Sequence, residues 1–271
     1  MTKFLTCFLL ILFLLGCKSK PMAYNDQVPI HKSITIHSRF VGEERVINIW
    51  MPPGYEDGGK AFPVLYMPDG GIGEDFPHIA NTLSELITSN KIEPVLLVGI
   101  ENTERGRDLT GESKVDAHEK YGIPMADGAK NFRAFILEEL VPEIERNYQT
   151  TGEKGIIGES LAGLFVVETF LLQPGAFEFY IAMDPSLWWN DNFLVKNAAA
   201  YLTEVPDGSR KLWFAGSNTT DIFEYTRQFA ELLEREQPKG LDWKYSDEPD
   251  EKHHTIFRGT KEQALIWTLG R

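Results

Sequence analysis

The stretch Gly158-Glu159-Ser160-Leu161-Ala162-Gly163 decides how the fold of this 271-residue chain is interpreted. Residues 155–158 form an apolar segment that is predicted to be a strand, and residues 161–172 carry apolar side chains at helical spacing. A serine on such a strand-to-helix turn is typical of a nucleophile elbow, whose strained backbone lifts the hydroxyl above the sheet. Ala162 replaces the final glycine of Gly-x-Ser-x-Gly and is small enough for that place. The alternative is a serine that only caps the helix.

Short apolar segments and amphipathic segments alternate on both sides of this motif. The segments that predict strands are residues 62–67, 94–100, 179–183 and 211–216, and those that predict helices are residues 82–87, 131–144 and 222–233. Residues 33–37 and 45–51 alternate polar and apolar side chains and predict a β-hairpin at a sheet edge. Continuous apolar strands that alternate with helices predict an α/β fold, with a mostly parallel sheet covered on both faces.

The composition excludes several classes of protein. Hydrophobic residues make up 42% of the chain and charged residues 25%, which is ordinary for a folded globular protein. With a formal charge of −13, the protein lacks the excess of basic residues that is typical of a nucleic-acid binder, so no nucleic-acid partner is expected. Cysteine occurs only as Cys7 and Cys17, which excludes a disulfide framework, a cysteine zinc site and a cysteine nucleophile in the body of the chain. We expect neither a metal nor a cofactor.

The N-terminus resembles an export signal. Residues 4–15 are an almost unbroken apolar run, shorter than the roughly 20 residues of a membrane-spanning helix but suited to a secretory signal. Leu14-Leu15-Gly16-Cys17 resembles the bacterial lipobox, which implies cleavage before Cys17 and attachment of lipid to its thiol; an ordinary signal peptide is the alternative. We predict a lipoprotein signal peptide, a tether and one catalytic domain in a bacterial cell envelope, at the outer membrane or the periplasmic face. Their bounds are residues 1–16, 17–29 and 30–271.

A serine nucleophile needs a base, and in this kind of fold the chain order is serine, acid, histidine. Of the six histidines, only His253 and His254 follow Ser160. They lie in a loop between the strand-like residues 241–245 and the last helical segment, which is where the base is expected. A solvated surface pair, or adventitious metal binding, is the alternative interpretation.

Several segments, taken in their order and spacing, resemble a known family. They are residues 63–71, 101–110, 138–144, 158–163, 184–189 and 251–256. With them the chain is similar, over roughly residues 30–270, to the bacterial putative-esterase family of α/β-hydrolases, which includes esterase D, ferric-enterobactin esterases and feruloyl esterase modules. The resemblance implies the α/β-hydrolase fold and hydrolysis of carboxylic esters. It also implies that the base is His253, with His254 as a variable neighbour, because family members carry the base in a Glu-x-His-x-Ser/Thr segment.

The reaction also needs donors for the oxyanion. Ser160 is expected to attack an ester carbonyl while His253 takes its proton, which gives an acyl-enzyme that water hydrolyses. One donor is expected to be the backbone N–H of Leu161, directly after the nucleophile. The second is expected to be that of Gly70 or Gly71, in the loop after the strand of residues 62–67.

The catalytic acid has several candidates. Residues 216–221 resemble the Gly-x-x-Asp turn of feruloyl esterase modules, with two extra residues, and make Asp221 the first choice. Glu224 is the next, and Asp221 is also placed to cap the following helix. Asp184 is the rival, because it follows the strand of residues 179–183 and an acid there is a known variant arrangement. A serine–histidine dyad, as in some siderophore esterases, is the remaining alternative.

Two arginines and two tryptophans are candidates for binding the substrate. Arg105 and Arg107 lie on a long polar segment and are predicted either to bind an anionic group of the substrate or to form a surface salt bridge with Asp108 or Glu104. Trp188 and Trp189 follow a predicted strand at its carboxyl end, where α/β sheets bind ligands. We expect them to form an aromatic wall for a planar acyl group, unless one of them belongs to the core.

Together these features predict a serine esterase, lipid-anchored through Cys17, that acts on siderophore-type esters or releases aromatic or acetyl groups from polysaccharide. A peptidase or acyltransferase on the same scaffold is one alternative. A non-catalytic envelope binding protein is another. The expected partners are a small-molecule or glycan ester and the membrane.

Overall fold

The structure is a computed structural model that describes residues 26–56, 58–206 and 208–270. The predicted signal peptide, Cys17 and the tether up to residue 25 lie outside these described residues. Within them, no helix combines the length and the apolar character needed to cross a bilayer. The last tether residues contact the domain: Asp26 forms an ion pair with Arg258, and the carbonyl of Gln27 accepts a hydrogen bond from Asn81 Nδ2 at 2.8 Å.

A central sheet organises the domain. Its strands are β1 (Lys32–His37), β2 (Glu44–Trp50), β3 (Phe62–Pro68), β4 (Leu96–Ile100), β5 (Thr150–Glu159), β6 (Phe179–Met183), β7 (Arg210–Ser217) and β8 (Leu241–Glu248). Their order across the sheet is β1-β2-β4-β3-β5-β6-β7-β8. β2 is antiparallel to both β1 and β4, and the other neighbouring strands are parallel. This confirms the predicted parallel sheet with an antiparallel hairpin at its edge.

Helices cover both faces of the sheet. They are α1 (Phe76–Thr88), α2 (Arg105–Leu109), α3 (Gly128–Phe135), α4 (Val141–Asn147), α5 (Leu161–Leu172), α6 (Trp189–Leu202), α7 (Thr220–Glu236) and α8 (Ile256–Leu269). The segment predicted as one helix over residues 131–144 is α3 and α4 joined by a π-helical turn, Ile136–Leu140. Pro142 explains the interruption, because it has no N–H to continue regular helical bonding.

The sheet separates two apolar layers, and β5 shows why its strands are apolar on both sides. Ile156 packs in one layer with Phe165 of α5, and Ile157 packs in the other with Leu83 of α1 and Leu265 of α8. All five are inaccessible to solvent. Because β3, β5, β6 and β7 are parallel, their carboxyl ends meet at one edge of the sheet, and the polar residues that follow these strands are brought together there.

Candidate active site

Ser160 occupies the turn between β5 and α5 in a backbone conformation that is strained for a residue with a side chain. Its φ is 61° and its ψ is −118°. Such strain persists only where neighbouring structure enforces it. Here the N–H of Ser160 donates to the carbonyl of Met183 at 3.0 Å, and its carbonyl accepts from the N–H of Ser186 at 3.0 Å. The turn is therefore held by β6 and the loop that follows it.

Small residues around Ser160 let the strand and the helix approach each other. A Cβ on Gly158 would lie 2.7 Å from the Cβ of Ala162, closer than packed carbon atoms come. A Cβ on Gly163 would lie 3.0 Å from the carbonyl oxygen of Met183. The departure from Gly-x-Ser-x-Gly is thus accommodated, because Ala162 takes the glycine position while Gly163 lets β6 come close.

A continuous chain of hydrogen bonds runs from Ser160 through His253 to a carboxylate. Ser160 Oγ lies 2.9 Å from His253 Nε2, and His253 Nδ1 lies 2.7 Å from Asp184 Oδ2. His254 is exposed and takes no part in this chain. Across residues 26–56, 58–206 and 208–270, no three His, Cys, Asp or Glu side chains are grouped as ligands for a metal ion.

Asp184 is completely buried directly after β6. Its Oδ1 accepts from the N–H of Ser217 at 2.6 Å, and its Oδ2 accepts from the Ser217 hydroxyl at 2.8 Å as well as from His253. Hydrogen bonds to an ionised carboxylate are stronger than those between neutral groups, so these donors compensate for the loss of water around the charge.

The predicted order of acid candidates needs correction. Asp221, the first choice, is an exposed residue in the first turn of α7 and makes no hydrogen bond to His253 in the described structure. Glu224 is also exposed and accepts a hydrogen bond from Gln228. The helix begins at Thr220, and it carries Asp221 and Glu224 away from His253. Asp184, the rival, is the carboxylate that contacts the imidazole.

Two residues of this site, Ser217 and Thr219, were not predicted from the sequence. Thr219 Oγ1 accepts a hydrogen bond from the backbone N–H of His253 at 3.2 Å, and it lies 2.9 Å from Ser217 Oγ. The carboxyl end of β7 therefore holds both Asp184 and His253. The available signal was their position directly at the carboxyl end of a parallel strand, where polar residues converge with those of the neighbouring strands.

The electrostatic surroundings favour a protonated His253. Burial lowers the pKa of the imidazole, but the hydrogen bond to Asp184 and the negative charges of Glu159 and Asp184 outweigh burial, so the pKa is raised above its ordinary value of 6.5. Burial raises the pKa of Glu159 itself to about 8. A raised imidazole pKa suits a base that must hold a proton transiently during the reaction.

The predicted oxyanion donors differ in what they bind. The N–H of Leu161 belongs to the first residue of α5, a position whose N–H has no partner within the helix. The N–H of Gly70 donates to the carbonyl of Ile100 at 2.9 Å and is committed to the backbone. The N–H of Gly71 donates to Glu74 Oε2 at 2.7 Å. The N–H of Gly71 is therefore bound by a side chain, whereas that of Gly70 is bound by the backbone.

The two candidate arginines have different partners. Arg105 binds Asp69 with two parallel hydrogen bonds of 2.7 Å, and its Nη2 lies 3.5 Å from the carbonyl oxygen of Glu159, next to the nucleophile. Arg107 pairs with Asp108 at 2.7 Å and with Glu43 at 2.6 Å. Both arginines thus pair with carboxylates: Arg107 forms the predicted salt bridge with Asp108, and Arg105, which lies beside the candidate nucleophile, pairs with Asp69 instead.

The two tryptophans divide between core and surface. Trp189 is buried, and its indole N–H donates to the carbonyl of Gly111 at 2.9 Å. Trp188 is half-buried and packs edge-on against His118, with ring centroids 5.4 Å apart, and beside Tyr121 at 5.3 Å. Trp188 and Tyr121 thus form a partly exposed aromatic pair, whereas Trp189 belongs to the buried core.

Comparisons with known proteins found a family, sequence relatives and structural neighbours. A family model described as "Putative esterase" matches residues 38–265. Ferri-bacillibactin esterase BesA of Bacillus subtilis is 32% identical over 254 residues, which cover 84% of this chain and 86% of that protein. The crystal structure of an IroE-like serine hydrolase from Shewanella oneidensis matches with a TM-score of 0.80 and 28% identity, covering 89% of this chain and 80% of the other. Siderophore hydrolase EstB from Aspergillus nidulans shares the fold, with a TM-score of 0.73 and 18% identity over 93% of this chain and 97% of the other.

Proposed function

We propose that this chain, which belongs to the putative-esterase family, hydrolyses siderophore-type esters through an acyl-enzyme formed on Ser160. Its family membership makes it a carboxylic ester hydrolase with an α/β fold. The residue roles and the substrate class are the parts that are proposed. The observation that carries the roles is the hydrogen-bonded chain from Ser160 through His253 to Asp184.

Each of these three hydrogen-bonded residues has a defined role in the reaction. His253 Nε2 takes the proton of Ser160 as Oγ attacks the ester carbonyl, and the same proton then passes to the leaving alcohol. Asp184 accepts the hydrogen bond from Nδ1–H, which fixes the tautomer and stabilises the imidazolium. The N–H of Leu161 stabilises the negative oxygen of the tetrahedral intermediate. Water then hydrolyses the acyl-enzyme, with His253 again as the base.

Two features support an aromatic ester of siderophore type as the substrate. The relative with 32% identity is named for its action on ferri-bacillibactin. Trp188 lies a few residues after Asp184, and Tyr121 lies on the long segment before α3. Their rings contact each other, and aromatic rings pack well against a planar acyl group. Arg105, beside the carbonyl of Glu159, supplies hydrogen-bond donors near the reacting ester.

The test combines a probe for the nucleophile with a panel of esters. A fluorophosphonate probe should label the wild-type protein and not Ser160→Ala, and Ser160→Ala should lose hydrolysis of p-nitrophenyl acetate while its thermal unfolding is unchanged. Catecholate, feruloyl and acetyl esters are then compared by kcat/KM. The proposal predicts the highest value for the catecholate ester. Labelling with a preference for feruloyl or acetyl esters would refute the substrate class, and wild-type protein without labelling would refute the mechanism.

We further infer that the protein is anchored to the cell envelope by lipid on Cys17. The supporting observations are the short apolar run of residues 4–15 and the Leu-Leu-Gly-Cys motif that ends it. Cys17→Ser should move the protein from the membrane fraction to the soluble fraction and abolish labelling by palmitate. Cys7→Ser is the matched control and should change neither. Membrane association of Cys17→Ser would contradict the inference.

A further inference from the structure

The loop between β3 and α1, residues 69–75, must supply the second oxyanion donor if the chain uses the arrangement of its fold. Most N–H groups of this loop either donate to backbone carbonyls or belong to exposed residues. Those of Gly70, Glu74 and Asp75 donate to backbone carbonyls at 2.9–3.0 Å. Ile72 and Gly73 are exposed at the loop tip. Gly71 is buried, and its N–H is bound only by a side chain that can rotate away.

That side chain is Glu74, which two residues hold in place. Its Oε2 accepts from the N–H of Gly71 at 2.7 Å, and its Oε1 accepts from Asn102 Nδ2 at 2.8 Å. The N–H of Asn102 lies 3.4 Å from Oε2. Asn102 Nδ2 also donates to Asp69 at 2.5 Å, which links Glu74 to the pair formed by Asp69 and Arg105.

A carboxylate oxygen on a backbone N–H has the charge and the hydrogen-bond geometry of the oxyanion that the same N–H would stabilise. The two oxygens therefore compete for one donor. We propose that Glu74 occupies the oxyanion donor of Gly71 in the resting enzyme and leaves it when the ester carbonyl binds. This inference rests on the proposed function, since it requires an oxyanion at Ser160.

How strongly Glu74 blocks the N–H of Gly71 depends on the charge of its carboxyl group. An ionised carboxylate accepts a stronger hydrogen bond than a protonated one, so the block is strongest above the pKa of Glu74 and weakens below it. Burial raises that pKa, and Asp69 raises it further, while the bonds from Gly71 and Asn102 oppose the rise. The other charged groups around the loop are Asp75 at the start of α1, Glu101 after β4 and Arg105 of α2. Glu101 lies against Gly71 through its side-chain carbons.

Two variants test the competition. Glu74→Gln keeps the shape but removes the charge, and Glu74→Ala frees the N–H of Gly71. We expect kcat/KM for p-nitrophenyl acetate at pH 8 to rise about tenfold in Glu74→Ala and less in Glu74→Gln, because charge-assisted hydrogen bonds are roughly twice as strong as neutral ones. The ratio of variant to wild-type kcat/KM should increase with pH. Glu101→Gln removes a nearby charge without freeing the N–H, and its ratio should stay within about twofold and independent of pH.

A binding measurement separates this inference from the proposed function. Phenylboronic acid forms a tetrahedral anion on a serine hydroxyl, and its affinity should rise in Glu74→Ala as kcat/KM does. If the fluorophosphonate probe labels wild-type protein but both variants bind phenylboronic acid no better and hydrolyse ester more slowly, Glu74 supports the loop rather than blocks it, and the inference is overturned. A lower unfolding temperature would accompany that outcome. Absence of labelling in the wild type would refute the esterase mechanism instead.

Discussion

A carboxylate follows both β6 and β7 in the sequence, yet only the first of them reaches His253 in the described structure. The loop after β6 supplies Asp184, which is completely buried and accepts three hydrogen bonds. Asp221, which comes after β7, is exposed in the first turn of α7. The carboxyl end of β7 contributes hydrogen-bond donors and acceptors instead, through Ser217 and the nearby Thr219.

The difference shows what an acid needs in order to orient an imidazole. A carboxylate at this site must be held by donors that do not move, because a wrongly placed acid leaves the imidazole in the wrong tautomer. Ser217 fixes both oxygens of Asp184 through its N–H and its hydroxyl. Asp221 lies exposed on a helix. The proposed acid and its support therefore come from two neighbouring strands, β6 and β7.

Both loops contact His253, so removal of its side chain should have the largest effect. The loop after β6 contacts its Nδ1, and the loop after β7 contacts its backbone N–H. His253→Ala should lower kcat by up to about 10⁶-fold, the effect of removing the base from a serine triad. His254→Ala is the matched control and should stay within about twofold, because the side chain is exposed. Steady-state hydrolysis of p-nitrophenyl acetate measures both, and the reverse pattern would transfer the role to His254.

The carboxylates themselves give the second test. Asp184→Asn keeps the shape but favours the wrong imidazole tautomer, so kcat should fall by about 10⁴-fold. Asp221→Asn should leave kcat within about twofold, since a substitution on an exposed helical turn has little effect. The same ester assay applies to both variants. A loss in Asp221→Asn without one in Asp184→Asn would mean that the loop after β7 supplies the acid in solution.

The supporting hydroxyl of Ser217 gives a smaller effect. Ser217→Ala removes one donor to Asp184 but leaves the backbone N–H in place, so kcat should fall about tenfold, as expected for one hydrogen bond to a charged group. KM should change little, because the residue supports the acid and does not contact the substrate. Thr220→Ala, at an exposed position three residues further along the chain, is the control. If the two variants behave alike, Ser217 does not position the acid.

The pH dependence gives the smallest effect. Neutral His253 is the active base, and its pKa is raised by Asp184 and Glu159 against the opposing effect of burial, so kcat/KM should fall as the pH drops through a value above 6.5. Because burial raises the pKa of Glu159 to about 8, its carboxyl is only partly ionised near this pH. Glu159→Gln should therefore shift the fall of kcat/KM to lower pH by well under about one pH unit. An unchanged pH dependence of kcat/KM in this variant would show that Glu159 does not act on His253.

The sequence predicted those parts of the site that depend on local pattern. Ser160 was found because the strand, the turn and the helix around it are contiguous, and the structure gives this serine the strained elbow that the pattern implies. His253 followed from chain order, since few histidines come after the serine. The choice between Asp184 and Asp221 had no such basis, because each lies shortly after a strand and near the start of a helix.

The sequence alone determined the parallel sheet, the edge hairpin and the strand-to-helix turn of Ser160, because periodic apolar residues and small residues act over a few neighbouring positions. The tertiary structure decided which carboxylate reaches His253 and how Asn102 holds the side chain of Glu74. These contacts join residues that follow different strands: Asp184 and His253 are 69 positions apart, and Glu74 and Asn102 are 28 positions apart. Their geometry depends on strand order and on where each loop leaves the sheet, and no local pattern of residues encodes either.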